Sequence, residues 1–155
     1  MSQFQQIDST ENIRTVIKAA FDTDLPLSGG WGYTQDIATL IDDNPDKLPL
    51  SQLEHMIASM RAYLEMNLTQ EKAKRYGSIN LREVDRSVVE KEKQLYHKVI
   101  YEISAMREEV YAAFIDEYKE GYGKENFDIA LHFQRRKEAT LIRKEIHWFE
   151  VSQVI

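Results

Sequence analysis

The 155-residue chain has no cysteine. This excludes disulfides, thiolate metal sites, iron–sulfur clusters and a cysteine nucleophile together, and it suits a reducing compartment. No apolar run approaches the ~18 residues that would suggest a membrane span. The first ten residues are polar and lack the basic-then-apolar layout of a secretion signal, so the expected location is cytoplasmic. Basic residues are scarce in the first 60 positions, where only Arg14, Lys18 and Lys47 stand against nine acids. The rest of the chain is balanced, so the formal net charge of −6 sits in the first third. Such an end disfavours DNA and anionic membrane and attracts basic partners at low salt; it also describes an ordinary solvated surface.

Catalytic and cofactor motifs are missing too. There is no GxxxxGK[ST] phosphate loop, GxGxxG turn, HExxH helix, GxSxG elbow or calcium-binding loop. Gly121-Tyr122-Gly123-Lys124 lacks the remaining glycine spacing, and Glu125 follows where a hydroxyl would be needed. No cofactor is implied. The 26 acids guarantee neighbouring carboxylates by number alone, so no acid/base pair can be picked out by pattern.

What is present describes one globular domain over residues 1–155. The chain is 43% hydrophobic and 30% charged, enough apolar material for a core that needs no metal or disulfide. Ile13, Val16, Ile17, Ala20 and Phe21 keep helical spacing over residues 10–22. The stretch with Pro26 and three glycines then breaks the pattern. A short helix capped by Thr34 is expected over residues 34–42, followed by an acid-rich turn with Pro45 and Pro49. The clearest helix spans residues 50–68, with Ser51 and Glu54 in capping-box positions. Its expected apolar face holds Leu53, Met56, Ile57, Met60, Tyr63, Leu64 and Met66.

Residues 81–121 support two periods. Leu95, Val99, Ile103, Met106, Val110, Phe114 and Tyr118 fit one long helix, but residues 95–103 also alternate and are rich in β-branched and aromatic side chains. The preferred reading is a hairpin with Val88 and Val89 in the partner strand, then a helix over residues 106–120. Asn126 is a candidate cap for a further helix through Ala139, and residues 141–155 read as a C-terminal strand. The expected fold is therefore α+β: a small antiparallel sheet, made of the hairpin plus the C-terminal strand, packed with about five helices. An all-α bundle is the alternative.

Three residue groups carry the functional expectations. The most distinctive is Ser28-Gly29-Gly30-Trp31-Gly32-Tyr33, where glycines permit close approach and two aromatic rings offer contact surfaces. Gly29, Gly30, Trp31, Gly32 and Tyr33 are thus candidate ligand or partner contacts; the competing and preferred reading has Trp31 plug the core while the glycines permit the turn. His97 and His147, on the two expected strands, are candidate metal ligands if the strands are neighbours, with Glu145 or Glu102 completing the set. His55 reads as a boundary residue of its helix, and Asp128 and His132 stand one helical turn apart. Arg135, Arg136, Lys137, Arg143 and Lys144 form a basic patch within ten residues that hold a single acid, Glu138. An acidic domain is a poor nucleic-acid binder, so the patch is expected to meet the acidic first third, within the chain or in a homodimer. The functional expectation is a non-enzymatic protein-interaction or regulatory domain with a protein partner or self-association. The alternative is a small-molecule- or metal-binding protein or enzyme, with a pocket near the SGGWGY loop and sheet drawing on Trp31, Tyr33, His97, Tyr101 and His147.

Overall fold

A computed structural model describes residues 4–68, 70, 71 and 74–155; Thr69, Lys72 and Ala73 of the polar stretch after residue 68 lie outside them. The first helix, α1 (Ile13–Phe21), begins where the Asn12 side chain accepts from the Thr15 N–H, and it buries Ile13 and Ile17. Asp22 closes it in a left-handed conformation, with φ of 53°. The loop then forms a three-residue strand, β1 (Leu27–Gly29), and a second, β2 (Thr39–Ile41), pairs with it antiparallel. The helix expected over residues 34–42 is instead a single 3₁₀ turn, Gln35–Ile37, that feeds β2. Thr39 and Ile41 are buried and paired, which local propensity does not disclose.

Helix α2 (Leu50–Tyr63) widens into a π-helical stretch, Leu64–Leu68. Pro49 occupies its N-cap without a side-chain bond, so the expected Ser51–Glu54 capping box does not form. Its buried face is also rotated from the expected one. Leu53, Glu54, Ile57, Ala58, Arg61 and Ala62 point inward, while Tyr63 is 44% exposed.

The hairpin is present and longer than expected: β3 (Tyr76–Lys91) and β4 (Gln94–Arg107) pair antiparallel along most of their length. The turn residues Glu92 and Lys93 both have positive φ, 51° and 67°, the pattern of a two-residue type I′ turn. Helix α3 (Glu108–Gly121) follows directly. Helix α4 (Ile129–Ala139) is capped by Asp128, which accepts from the Leu131 N–H, rather than by Asn126. Strand β5 (Leu141–Glu150) pairs antiparallel with β4 and parallel with β2.

The sheet order is β1-β2-β5-β4-β3. The α+β class, the hairpin and the C-terminal strand are as expected, and the all-α alternative falls with the pairing of residues 76–107. Among the described residues the expected small antiparallel sheet is a five-stranded mixed one, with four α-helices rather than about five. The strand missed at 39–41 sits parallel beside β5, and this makes the sheet mixed. No helix among the described residues is long and apolar enough to cross a membrane.

The core lies on one side of this sheet. Val99, Tyr101, Ile103 and Ala105 from β4 and Phe149 from β5 meet Ile57, Ala58 and Ala62 of α2, Ile13 and Ile17 of α1, and Trp31. Gly32 is the tightest point. Its φ is +76°, and a Cβ built on it would stand 2.2 Å from the His147 ring. Gly32→Ala combines a strained backbone with an overpacked core, so a loss of about 3 kcal/mol is expected in chemical denaturation. Gly123→Ala, at φ +83° but with open space around it, should cost about 1 kcal/mol.

Candidate functional site

Two buried polar clusters, an uncovered sheet face and a polar pocket hold the chemistry. The first cluster lies under the SGGWGY loop. Trp31 is fully buried, and its backbone N–H donates to Ser9 Oγ at 3.1 Å. Gly32 donates to the Ile37 carbonyl (2.7 Å) and its own carbonyl accepts from the Trp148 N–H (2.8 Å), which ties the loop to β5. Arg61 reaches up from α2, donating from Nη1 to the Trp31 carbonyl (3.0 Å) and from Nη2 to the Ile146 carbonyl (2.8 Å). Its guanidinium stacks 4.4 Å from the Tyr33 ring centre.

Tyr33 donates its hydroxyl proton to Glu65 Oε2 (2.6 Å) and accepts from the Ile7 N–H (3.1 Å). Glu65 also accepts from Arg143 (2.7 Å), which bridges on to Glu145 (3.0 Å). Burial draws the Arg61 pKa down from the usual arginine value, and the Glu65 charge opposes this. Burial, then the Glu65 charge, raises the Tyr33 hydroxyl, so it remains a proton donor.

His147 sits in the same region, fully buried and stacked on Phe149 with ring centres 4.1 Å apart. Thr39 Oγ1 donates to the Gly30 carbonyl (2.8 Å), so its contact with His147 Nε2 (2.9 Å) requires that nitrogen to carry the proton. Burial, and secondarily the Arg61 charge, holds the His147 pKa well below 6.5. The ring is therefore a neutral core element.

The second cluster joins α2 to the hairpin. Glu54 is fully buried and accepts from Arg86 (2.8 Å) through one oxygen, while His97 Nδ1 lies 2.8 Å from the other. Arg86 Nη1 is also 3.2 Å from that nitrogen. An arginine only donates, so the shorter carboxylate contact places a proton on Nδ1. Glu83 holds the other edge of Arg86 (2.6 Å). Tyr101, on the same strand face as His97, is buried, and burial followed by the Glu54 charge raises its pKa. A carboxylate-oriented imidazole suits proton transfer, but none of the four cavities described for this fold is lined by Glu54, Arg86 or His97. The geometry is that of a clamp.

The structure brings His97 and His147 to adjacent strands and the same face, with His97 opposite Phe149 and His147 opposite Val99. Their hydrogen bonds run to different clusters. Among the described residues no group of three or more histidines and acids is arranged to hold a metal ion. Glu145 is engaged with Arg143, and Glu102 lies on the opposite sheet face, in contact with Arg82 (3.2 Å). His55 is exposed with Nε2 on the Leu81 carbonyl (2.9 Å). His132 is buried between α3 and α4, ringed by Phe114, Tyr118, Phe127 and Phe133 at 5.2–5.7 Å.

The five cations of the basic patch part company. Arg143 turns toward the core, Arg135 binds Glu117 (3.0 Å), and Lys144 lies on the outer sheet face opposite Glu102. Arg136 and Lys137 stay together at the C-terminal end of α4.

The outer face of the sheet is the other feature of note. Tyr96, Lys98, Ile100 and Glu102 of β4 stand opposite Glu150, Trp148, Ile146 and Lys144 of β5. Ile142 is 57% and Ile146 37% exposed, and Trp148, Ile100 and Tyr96 are partly so. Lys98 lies over the Trp148 ring, and Tyr96 meets the same ring edge-on at 6.5 Å.

No family model, curated protein or solved structure matches this chain.

Sequence reading missed Arg61, Glu65, Glu54 and Arg86. A signal was available for the first two: a charged pair at i,i+4 beside Ile57, Ala58, Ala62 and Met66, in the inward arc of an apolar helix. Arg61→Ala would strand the Trp31 and Ile146 carbonyls and leave Glu65 one cation short. A destabilisation of about 3–5 kcal/mol is expected by urea titration. His147 generates a pH dependence of definite sign. The unfolded state takes up its proton near pH 6.5 whereas the folded state resists, so stability falls as pH drops below 6.5, by up to about 1.4 kcal/mol per unit. His147→Gln should lack that slope, so the stability difference between wild type and the variant should shrink as pH falls, measured by denaturation from pH 7.5 down to pH 5.

Proposed function

We propose that this protein is a non-enzymatic interaction domain that associates with a second copy of itself through the outer face of the sheet. The observation that carries the reading is that face itself, where Ile100, Ile146 and Trp148 form an apolar centre open to solvent. An antiparallel sheet with one solvated side normally turns polar residues outward. Here apolar and aromatic side chains point both ways along β5. Trp and Tyr are the residues most favoured at binding hot spots, and Trp148 and Tyr96 lie together here.

The choice of occupant follows from charge. Arg82, Lys98 and Lys144 share the face with Asp85 and Glu102, so both signs flank the apolar centre. A twofold-related copy can set cations against acids without an excess of either. Size bounds the affinity. Three strands about 4.8 Å apart and about eight residues long present about 400 Å², half the ~800 Å² per partner of a standard interface. A weak, reversible dimer is the expectation.

Sedimentation velocity from about 10 to 500 µM tests this. Wild type should show a concentration-dependent monomer–dimer equilibrium that persists in about 0.5 M salt. Ile146→Lys and Trp148→Ala should abolish it while far-UV dichroism and cooperative unfolding are retained. A wild type that stays monomeric throughout, or an Ile146→Lys protein that dimerises unchanged, overturns the proposal. Association lost in salt overturns this face as its seat and returns the contact to the acidic first third and the basic end.

A further inference from the structure

A second feature, separate from the contact face, lies where the two helices α3 and α4 meet the base of the hairpin. A pocket of about 190 Å³ opens there, with Ser78 and Asn80 of β3, Ser104 of β4 and Tyr111 of α3 in its wall. Arg136 and Lys137 supply its charge. In a chain of 26 acids, none of the lining residues is a carboxylate.

The two cations differ from the others in the basic patch. Arg135 is held by Glu117 and Arg143 by Glu65 and Glu145, whereas neither Arg136 nor Lys137 has an acid within ion-pair distance among the described residues. Arg136 instead lies against the faces of Phe133 (5.4 Å) and Tyr111 (5.8 Å). Stacking of this kind fixes the guanidinium plane and leaves its N–H edge available, the presentation that suits an oxyanion. Thr140, also in the wall, spends its hydroxyl proton on the Arg136 carbonyl (2.7 Å), which anchors the turn that carries both cations. The side-chain hydroxyls of Ser104 and Tyr111 have no hydrogen-bond partner among the described residues and add two donors to the wall.

We infer that this pocket is a binding site for the dianionic head of a small phosphomonoester. Its chemistry is two cations and several hydroxyls without an opposing acid. Its volume is below the ~300 Å³ at which drug-sized ligand pockets begin, so it selects a phosphate group carrying a short substituent. The competing role for Arg136 and Lys137 is simple complementation of the helix C-terminus, which needs no ligand.

Amide NMR titration of the full chain at pH 7.5 and constant ionic strength separates these. Inorganic phosphate and glycerol 3-phosphate are expected to give saturable shifts at Ser78, Asn80, Ser104, Tyr111 and Thr140, with millimolar affinity or better. Arg136→Gln should weaken binding about tenfold, as loss of a charge-assisted contact implies. Ser104→Glu keeps both cations but places a carboxylate in the pocket, and it should abolish the response. Lowering the pH to about 5.5 should weaken binding as the dianion protonates near pH 6. Shifts that never saturate, that chloride reproduces, or that are unchanged in both folded variants overturn the site.

Discussion

The Arg61 side chain is the contact on which the other parts converge. It leaves α2 in a buried position and closes two backbone carbonyls at once, one in the SGGWGY loop and one in β5. A guanidinium in the core is costly, and burial opposes its charge. The cost is met only because Tyr33 covers one face and Glu65, a turn further along the same helix, stands near enough to compensate. Glu65 in turn fixes Tyr33 and Arg143. Remove the central cation and the loop, the helix and the last strand lose the group that defines their spacing.

The second cluster repeats this logic at the other side of α2. Glu54 is pulled fully out of water and satisfied by Arg86 and His97, so the helix is fastened to the hairpin by charge as well as by Leu53 and Ile57. Buried ion pairs add less net stability than apolar packing of equal volume, but they tolerate few alternative arrangements. The inner side of the sheet is accordingly specified in detail. The outer side has no comparable cover over Ile142 and Ile146.

Much of the architecture was legible because it rests on local pattern. The alternation from Leu95 to Ile103 favoured a strand over a helix, and the aromatic and β-branched residues of β5 did the same. What was hidden depends on distant partners. Thr39 to Ile41 are a strand because Phe149 and Glu150 lie alongside, more than a hundred residues later. The hairpin turn uses Glu92 and Lys93 at positive φ, where Asn-Gly would have announced it. Glu54 stood in a capping-box position and was read as local chemistry, while its bonds run to β3 and β4. The SGGWGY loop was recognisable as unusual, and Trp31 and the glycine at 32 show why: the loop lies against His147, and no side chain fits between.

The placement of β5 has a consequence for synthesis. It is central in the sheet but leaves the ribosome after the other four strands, and its neighbours β2 and β4 both await it. Until residues 141–150 emerge, Arg61 has no Ile146 carbonyl to bind, Trp31 has no floor of Phe149 and His147, and two strand edges stay open. Contacts so far apart in sequence form slowly, and unpaired edges recruit other chains meanwhile. The nascent chain therefore carries this core unsealed until β5 emerges, and exposure of the open strand edges should end with that strand rather than decline gradually as the helices appear.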